Sequence, residues 1–75
     1  MKLFCGEKGK KYLTENVFLS KKTKEHLEAF GITKGAELLV LESKNKGAMI
    51  IKVRGTRLAL GRDFLLGINV GEIEE

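Results

Sequence analysis

A chain of 75 residues holds one domain, and a domain of that size buries only about 60 to 65% of the surface its unfolded form exposes. Little stability is left over to hold the desolvated, strained groups an active site needs, so the length favours surface binding over catalysis. The formal charge of +4 and pI near 9.4 admit nucleic acid, an anionic membrane surface or an acidic protein as partner, and ordinary solubilising charge is the plainest explanation.

The single cysteine, Cys5, excludes an internal disulfide framework and points to a reducing, cytoplasmic home. No apolar h-region precedes it, so the start Met1-Lys2-Leu3-Phe4-Cys5-Gly6 is not expected to be a lipoprotein signal. The apolar runs Leu38 to Leu41 and Ala48 to Ile51 are far shorter than the ~20 residues a membrane helix requires. No membrane insertion is expected.

In chain order, Gly6 and Gly9 bracket a turn before Lys10-Lys11-Tyr12-Leu13-Thr14, which reads as a first strand. Val17-Phe18-Leu19 is expected to pack beneath the next element. Ser20 or Thr23 then caps a helix through Lys24 to Phe30, with Leu27 and Phe30 on one face. Gly31 closes it, since a left-handed residue after the last turn is cheapest for glycine.

After Lys34-Gly35, the run Ala36 to Glu42 reads as a strand buried on both faces or nearly so. Residues 43–47 form a turn. In Met49 to Arg54, alternation places Met49, Ile51 and Val53 inward and Lys52 and Arg54 outward. Arg54-Gly55-Thr56-Arg57 suits a type II′ turn with glycine at the first central position, which makes Arg54 and Arg57 cross-strand neighbours. Leu58 and Leu60 then point inward, Gly61 to Leu66 forms a single helical turn, and Ile68 and Val70 supply a closing strand. Short strands with regular glycine turns and one helix between them predict a mainly β, closed or half-closed barrel spanning residues 1–75.

Candidate chemistry is sparse. His26 is the only histidine, so one chain cannot supply a zinc or iron site of three or four nitrogen and sulfur ligands. The plain expectation for His26 is an exposed rim residue. Its rival is weak Fe2+ or Zn2+ binding, bridged between chains through His26, Cys5 or the acidic tail Glu72, Glu74, Glu75. No nucleophile, base and orienting residue converge in sequence, so the chain is not expected to be an enzyme. The outward Lys52, Arg54, Arg57 and Arg62 form a candidate partner-binding patch. Arg54 and Arg57 rank highest, because like charges across a ladder repel and an acidic partner relieves them. Tyr12, Phe4, Phe18, Phe30 and Phe64 are scattered or core-bound in this reading, so no nucleic acid is expected as partner: no pair of stacking rings is visible.

Three stretches carry a family resemblance: Leu27 to Gly35, Lys52-Val53-Arg54-Gly55-Thr56-Arg57-Leu58-Ala59-Leu60, and Gly67-Ile68-Asn69-Val70. From about Lys24 to Val70 their order and spacing resemble the ferrous iron transport protein A (FeoA) family. The chain departs from the family pattern at Lys24-Glu25-His26, where arginines are frequent, and at Lys44 to Gly47, where a proline is frequent. The resemblance implies a Src-homology-3-like β-barrel of five or six short strands with one inserted α-helix and one short helical turn. It also implies a non-catalytic cytoplasmic role in regulating or assembling a ferrous iron permease, a FeoB-like GTP-binding membrane protein. The rival readings are a metal-sensing barrel module and a basic nucleic-acid-binding barrel.

Overall fold

The computed structural model describes residues 1–43 and 47–73. Its elements run in the order 3-10 turn Leu3–Cys5, β1 Lys11–Val17, α1 Lys21–Ala29, β2 Glu37–Ser43, β3 Met49–Val53, β4 Thr56–Leu60, α2 Arg62–Leu66 and β5 Ile68–Glu72. The strands form one antiparallel five-stranded sheet in the order β4-β3-β2-β1-β5. α2 joins the two outer strands in sequence, so the sheet curls around a single core.

Alternation decides which face of each strand enters that core. Tyr12, Leu38, Val40, Met49, Ile51, Val53, Leu60, Ile68 and Val70 point inward and are buried, together with Leu27, Ile32 and Leu65 from the non-strand segments. Tyr12 is wholly enclosed, and its hydroxyl accepts the Glu7 N–H at 2.7 Å, so its polar end is satisfied without reaching water.

β1 runs three residues beyond the expected Thr14. A register irregularity between Thr14 and Asn16 lets the strand continue, pairing Asn16 with Asn69 and Val17 with Ile68, as a β-bulge does. Phe18 therefore lies past the end of the strand rather than beneath the helix. Its N–H donates to Gly67 O at 2.6 Å, and its ring is 68% exposed. Leu19 packs instead, against a surface that only glycine at position 67 leaves open: a Cβ there would overlap the Leu19 side chain.

Ser20, not Thr23, caps α1: its Oγ accepts the Thr23 N–H at 3.2 Å. The exit is a Schellman arrangement, with Ile32 N–H donating to Leu27 O at 3.1 Å and Gly31 N–H to Glu28 O at 2.9 Å. Gly31 has φ +98°, the left-handed value expected of it. Buried Leu27 and Ile32 close the apolar side of this exit. Phe30 is left outside as the C-cap, 42% exposed, which corrects the expectation that it shares the buried face with Leu27.

The hairpin β3–β4 is also built differently from the expected type II′ turn. Val53 pairs with Thr56, so the two central residues are Arg54 and Gly55, both with positive φ, 49° and 80°. That is a type I′ turn, whose twist matches the strands it joins. Of the turn expected over 43–47, residues 44–46 lie outside the described residues, and Ser43 is the last residue of β2.

The first residues belong to the fold. Leu3 is fully buried, Val70 N–H donates to Met1 O at 2.7 Å, and the Met1 amino group donates to Val70 O at 3.0 Å. No helix among the described residues is long and apolar enough to cross a membrane.

Candidate partner-binding surface

The β3–β4 register decides which charges meet. Lys52 is directly opposite Arg57, so the like-charged cross-strand pair is Lys52–Arg57 and not Arg54–Arg57. A two-residue hairpin puts the residues flanking its loop, Val53 and Thr56, in a hydrogen-bonded pair, which makes Lys52–Arg57 a non-hydrogen-bonded one, where side chains approach more closely. Both residues are exposed. Among the described residues no carboxylate stands within ion-pair distance of either. On its other side Lys52 is opposite Leu39, which is opposite Lys11. Lys11, Leu39, Lys52 and Arg57 thus form one lateral row across four strands on the outer face of the sheet.

Arg54 does not join that row. It occupies the turn, and its aliphatic stem lies across Gly31 at the exit of α1, where a Cβ would come within 2.8 Å of Arg54 Cδ. Arg54 and Lys52 also line a shallow depression with Lys11, Glu37 and Leu39. Arg62 stands on a different element, at the first position of α2, with its guanidinium 5.6 Å from the centroid of the Phe4 ring. This is cation–π distance. The structure therefore brings Lys52 and Arg57 together, sets Arg54 beside them on the turn, and engages Arg62 with the N-terminal segment.

His26 is exposed on α1, and its ring meets Phe30 edge to face at 5.4 Å. Cys5 is exposed at the end of the 3-10 turn. Glu72 ends β5, while Glu74 and Glu75 lie outside the described residues. No group of three His, Cys, Asp or Glu side chains placed to hold a metal ion occurs among the described residues.

Residue-by-residue reading missed Leu39 and Lys11 as neighbours of Lys52. The only signal for them is strand register, which depends on bulges that no sequence motif marks here. It also placed Phe18 and Phe30 inside, and both are exposed.

Curled sheet, inserted helix and cationic hairpin define a small barrel of the Src-homology-3 type. The FeoA domain family model matches residues 5–71, and the chain belongs to the FeoA family, which is associated with ferrous iron transport. A crystal structure described as an iron uptake regulatory protein (FeoA) is 30% identical, with a TM-score of 0.89, and the match covers 97% of each chain. The solution structure of FeoA from Chlorobium tepidum is 25% identical with a TM-score of 0.91, covering 99% of this chain and 71% of that one. A Stenotrophomonas maltophilia FeoA, described in complex with zinc and as a prokaryotic SH3 domain protein, has the same fold at 22% identity and a TM-score of 0.81, covering 95% of this chain and 89% of that one. Among curated proteins none matches the sequence significantly.

Proposed function

We propose that this chain is a non-catalytic cytoplasmic accessory of ferrous iron uptake that binds the GTP-binding portion of a ferrous iron permease and alters its assembly or transport. The observation that carries this reading is the family match over residues 5–71, supported by a FeoA relative that corresponds to the chain along 97% of both lengths. The surface is compatible with such a role. Lys52 and Arg57 are exposed, adjacent and without an ion-pair partner among the described residues, and steered docking on an acidic partner exploits that kind of arrangement.

The test is retention of the permease's soluble GTP-binding domain on the immobilised chain at low salt. Saturable retention that weakens as salt rises is the expected result. Absence of retention, with both proteins shown to be folded, would overturn the reading.

A further inference from the structure

The two outer strands of the sheet are not equivalent. Beyond β5, the backbone of Val70 is occupied on both its N–H and its C=O by Met1, and Lys2 bridges to Asn69. Among the described residues β4, in contrast, pairs with β3 alone. Because Lys52–Arg57 and Ile50–Ala59 are the non-hydrogen-bonded pairs of that hairpin, the backbone N–H and C=O groups of Arg57 and Ala59 point away from β3. These are the groups an added strand would use.

Side chains on β4 indicate what such a strand carries. On the outer face stand Arg57 and, directly across, Lys52, two cations with no carboxylate within ion-pair distance among the described residues. On the inner face Leu58 is only partly buried at the margin of the core, whereas Leu60 is enclosed. A strand laid along β4 therefore meets positive charge on one face and uncovered aliphatic surface on the other. We infer that the free edge of β4, with Lys52 and Arg57, receives an acidic, alternately apolar segment of a partner protein as an added strand. The inference rests on reading the chain as a protein-binding accessory, and it specifies the chemistry of the segment bound.

Two further observations favour this occupant. A second copy pairing β4 to β4 would bring Arg57 toward its counterpart, and charge on an edge strand is how sheets resist that association. Nucleic acid has no extended peptide backbone with which to continue the strand ladder. The exposed rings, Phe18, Phe30 and Phe64, also sit on segments other than β3 and β4, which leaves no stacking platform there.

The full chain, labelled with 15N, is titrated at low salt with a capped hexapeptide of alternating glutamate and valine. Saturable shifts centred on Arg57 and Ala59, with slowed exchange of those two amides, are the expected result. The Lys52→Glu, Arg57→Glu double variant, with its spectrum otherwise intact, is expected to bind about tenfold more weakly. Four results would overturn the inference: shifts centred away from β4, equal binding of an alternating glutamate–proline peptide, tighter binding of single-stranded oligonucleotide at the same residues, or β4 shifts produced by protein concentration alone. In the retention experiment, equal capture of the permease domain by wild type and double variant also overturns it, while leaving the accessory role in place. Loss of capture by wild type, with the peptide result intact, removes the permease and keeps the β4 edge.

Discussion

The side chain of Arg54 lies across the backbone of Gly31, joining the turn of the β3–β4 hairpin to the exit of α1. Neither residue has an ordinary backbone: φ is +98° at Gly31 and 49° at Arg54. At Gly31 an alanine meets two penalties, the left-handed conformation, worth about 1 to 2 kcal/mol, and the approach of Arg54 Cδ at 2.8 Å. The second is relieved if the arginine stem is removed. Gly31→Ala is expected to destabilise the fold by more than about 2 kcal/mol in urea unfolding, falling to about 1 to 2 kcal/mol in an Arg54→Ala background. Strict additivity of the two substitutions would show that the contact carries no energy.

Arg54 itself occupies a position that suits asparagine or glycine, because the first central residue of a type I′ turn needs a positive φ. Arg54→Asn relieves that conformational cost and gives up the packing of the stem on Gly31. Arg54 as a whole is exposed, so the turn gain is expected to exceed the packing loss. A net stabilisation of about 0.5 kcal/mol is expected, read as a rise in Tm of about 2 to 4 °C. A fall in Tm would mean that the Arg54–Gly31 contact outweighs the turn.

Much of this architecture is legible in the sequence, because alternation and glycine punctuation are local signals. Met49, Ile51 and Val53 face inward as their spacing implies, and Gly31 and Gly35 adopt positive φ at the turns they mark. What was not legible depends on register. The bulges at Glu15 and Leu41 extend β1 and shift β2 against β3 without any special residue to announce them. The placement of the hairpin turn one residue earlier changed the partner of Arg57 from Arg54 to Lys52. Leu3 was overlooked for a related reason: a lone leucine in a short polar stretch has no periodicity, and its burial is decided by the distant strand it packs against. Phe18 shows the converse error, since an apolar run at the end of a bulged strand need not be enclosed.

Thr14 is 1% exposed, and its Oγ1 has no hydrogen-bond partner among the described residues. Its backbone is fully used, the N–H donating to Ala36 O at 2.9 Å and the C=O accepting Gly35 N–H at 2.8 Å. An enclosed hydroxyl left unpaired is unfavourable by about 1 kcal/mol or more, and valine fills nearly the same volume without it while keeping the β-branch that suits a strand. Thr14→Val is therefore expected to stabilise the chain by about 1 kcal/mol, or about 4 to 8 °C in Tm. A destabilised variant would mean that the hydroxyl is satisfied in solution, as by an enclosed water.

Glu7 and Lys10 bridge the turn leading into β1 through an exposed ion pair of 2.6 Å. The Lys10 side chain, first through its hydrogen bond and then through its charge, lowers the pKa of Glu7, and Glu7 raises that of Lys10 by the same contacts. For Glu7, a folded-state pKa below the unfolded value gives stability that is present above the unfolded value and lost as pH falls through the folded one. Lys10 behaves oppositely: its contribution is complete below its unfolded pKa and disappears as pH rises through the higher folded one. The pair should thus support the turn across the neutral range and fail at both extremes, weakly throughout because both groups are open to solvent and screened by salt. Glu7→Gln removes both arms at once. Thermal melts of wild type and Glu7→Gln are expected to differ slightly near neutrality and to converge in acid, where Glu7 is protonated, and in strong alkali, where Lys10 is neutral. A difference that persists unchanged into acid would assign the effect to the amide's own contacts and not to the charge of the pair.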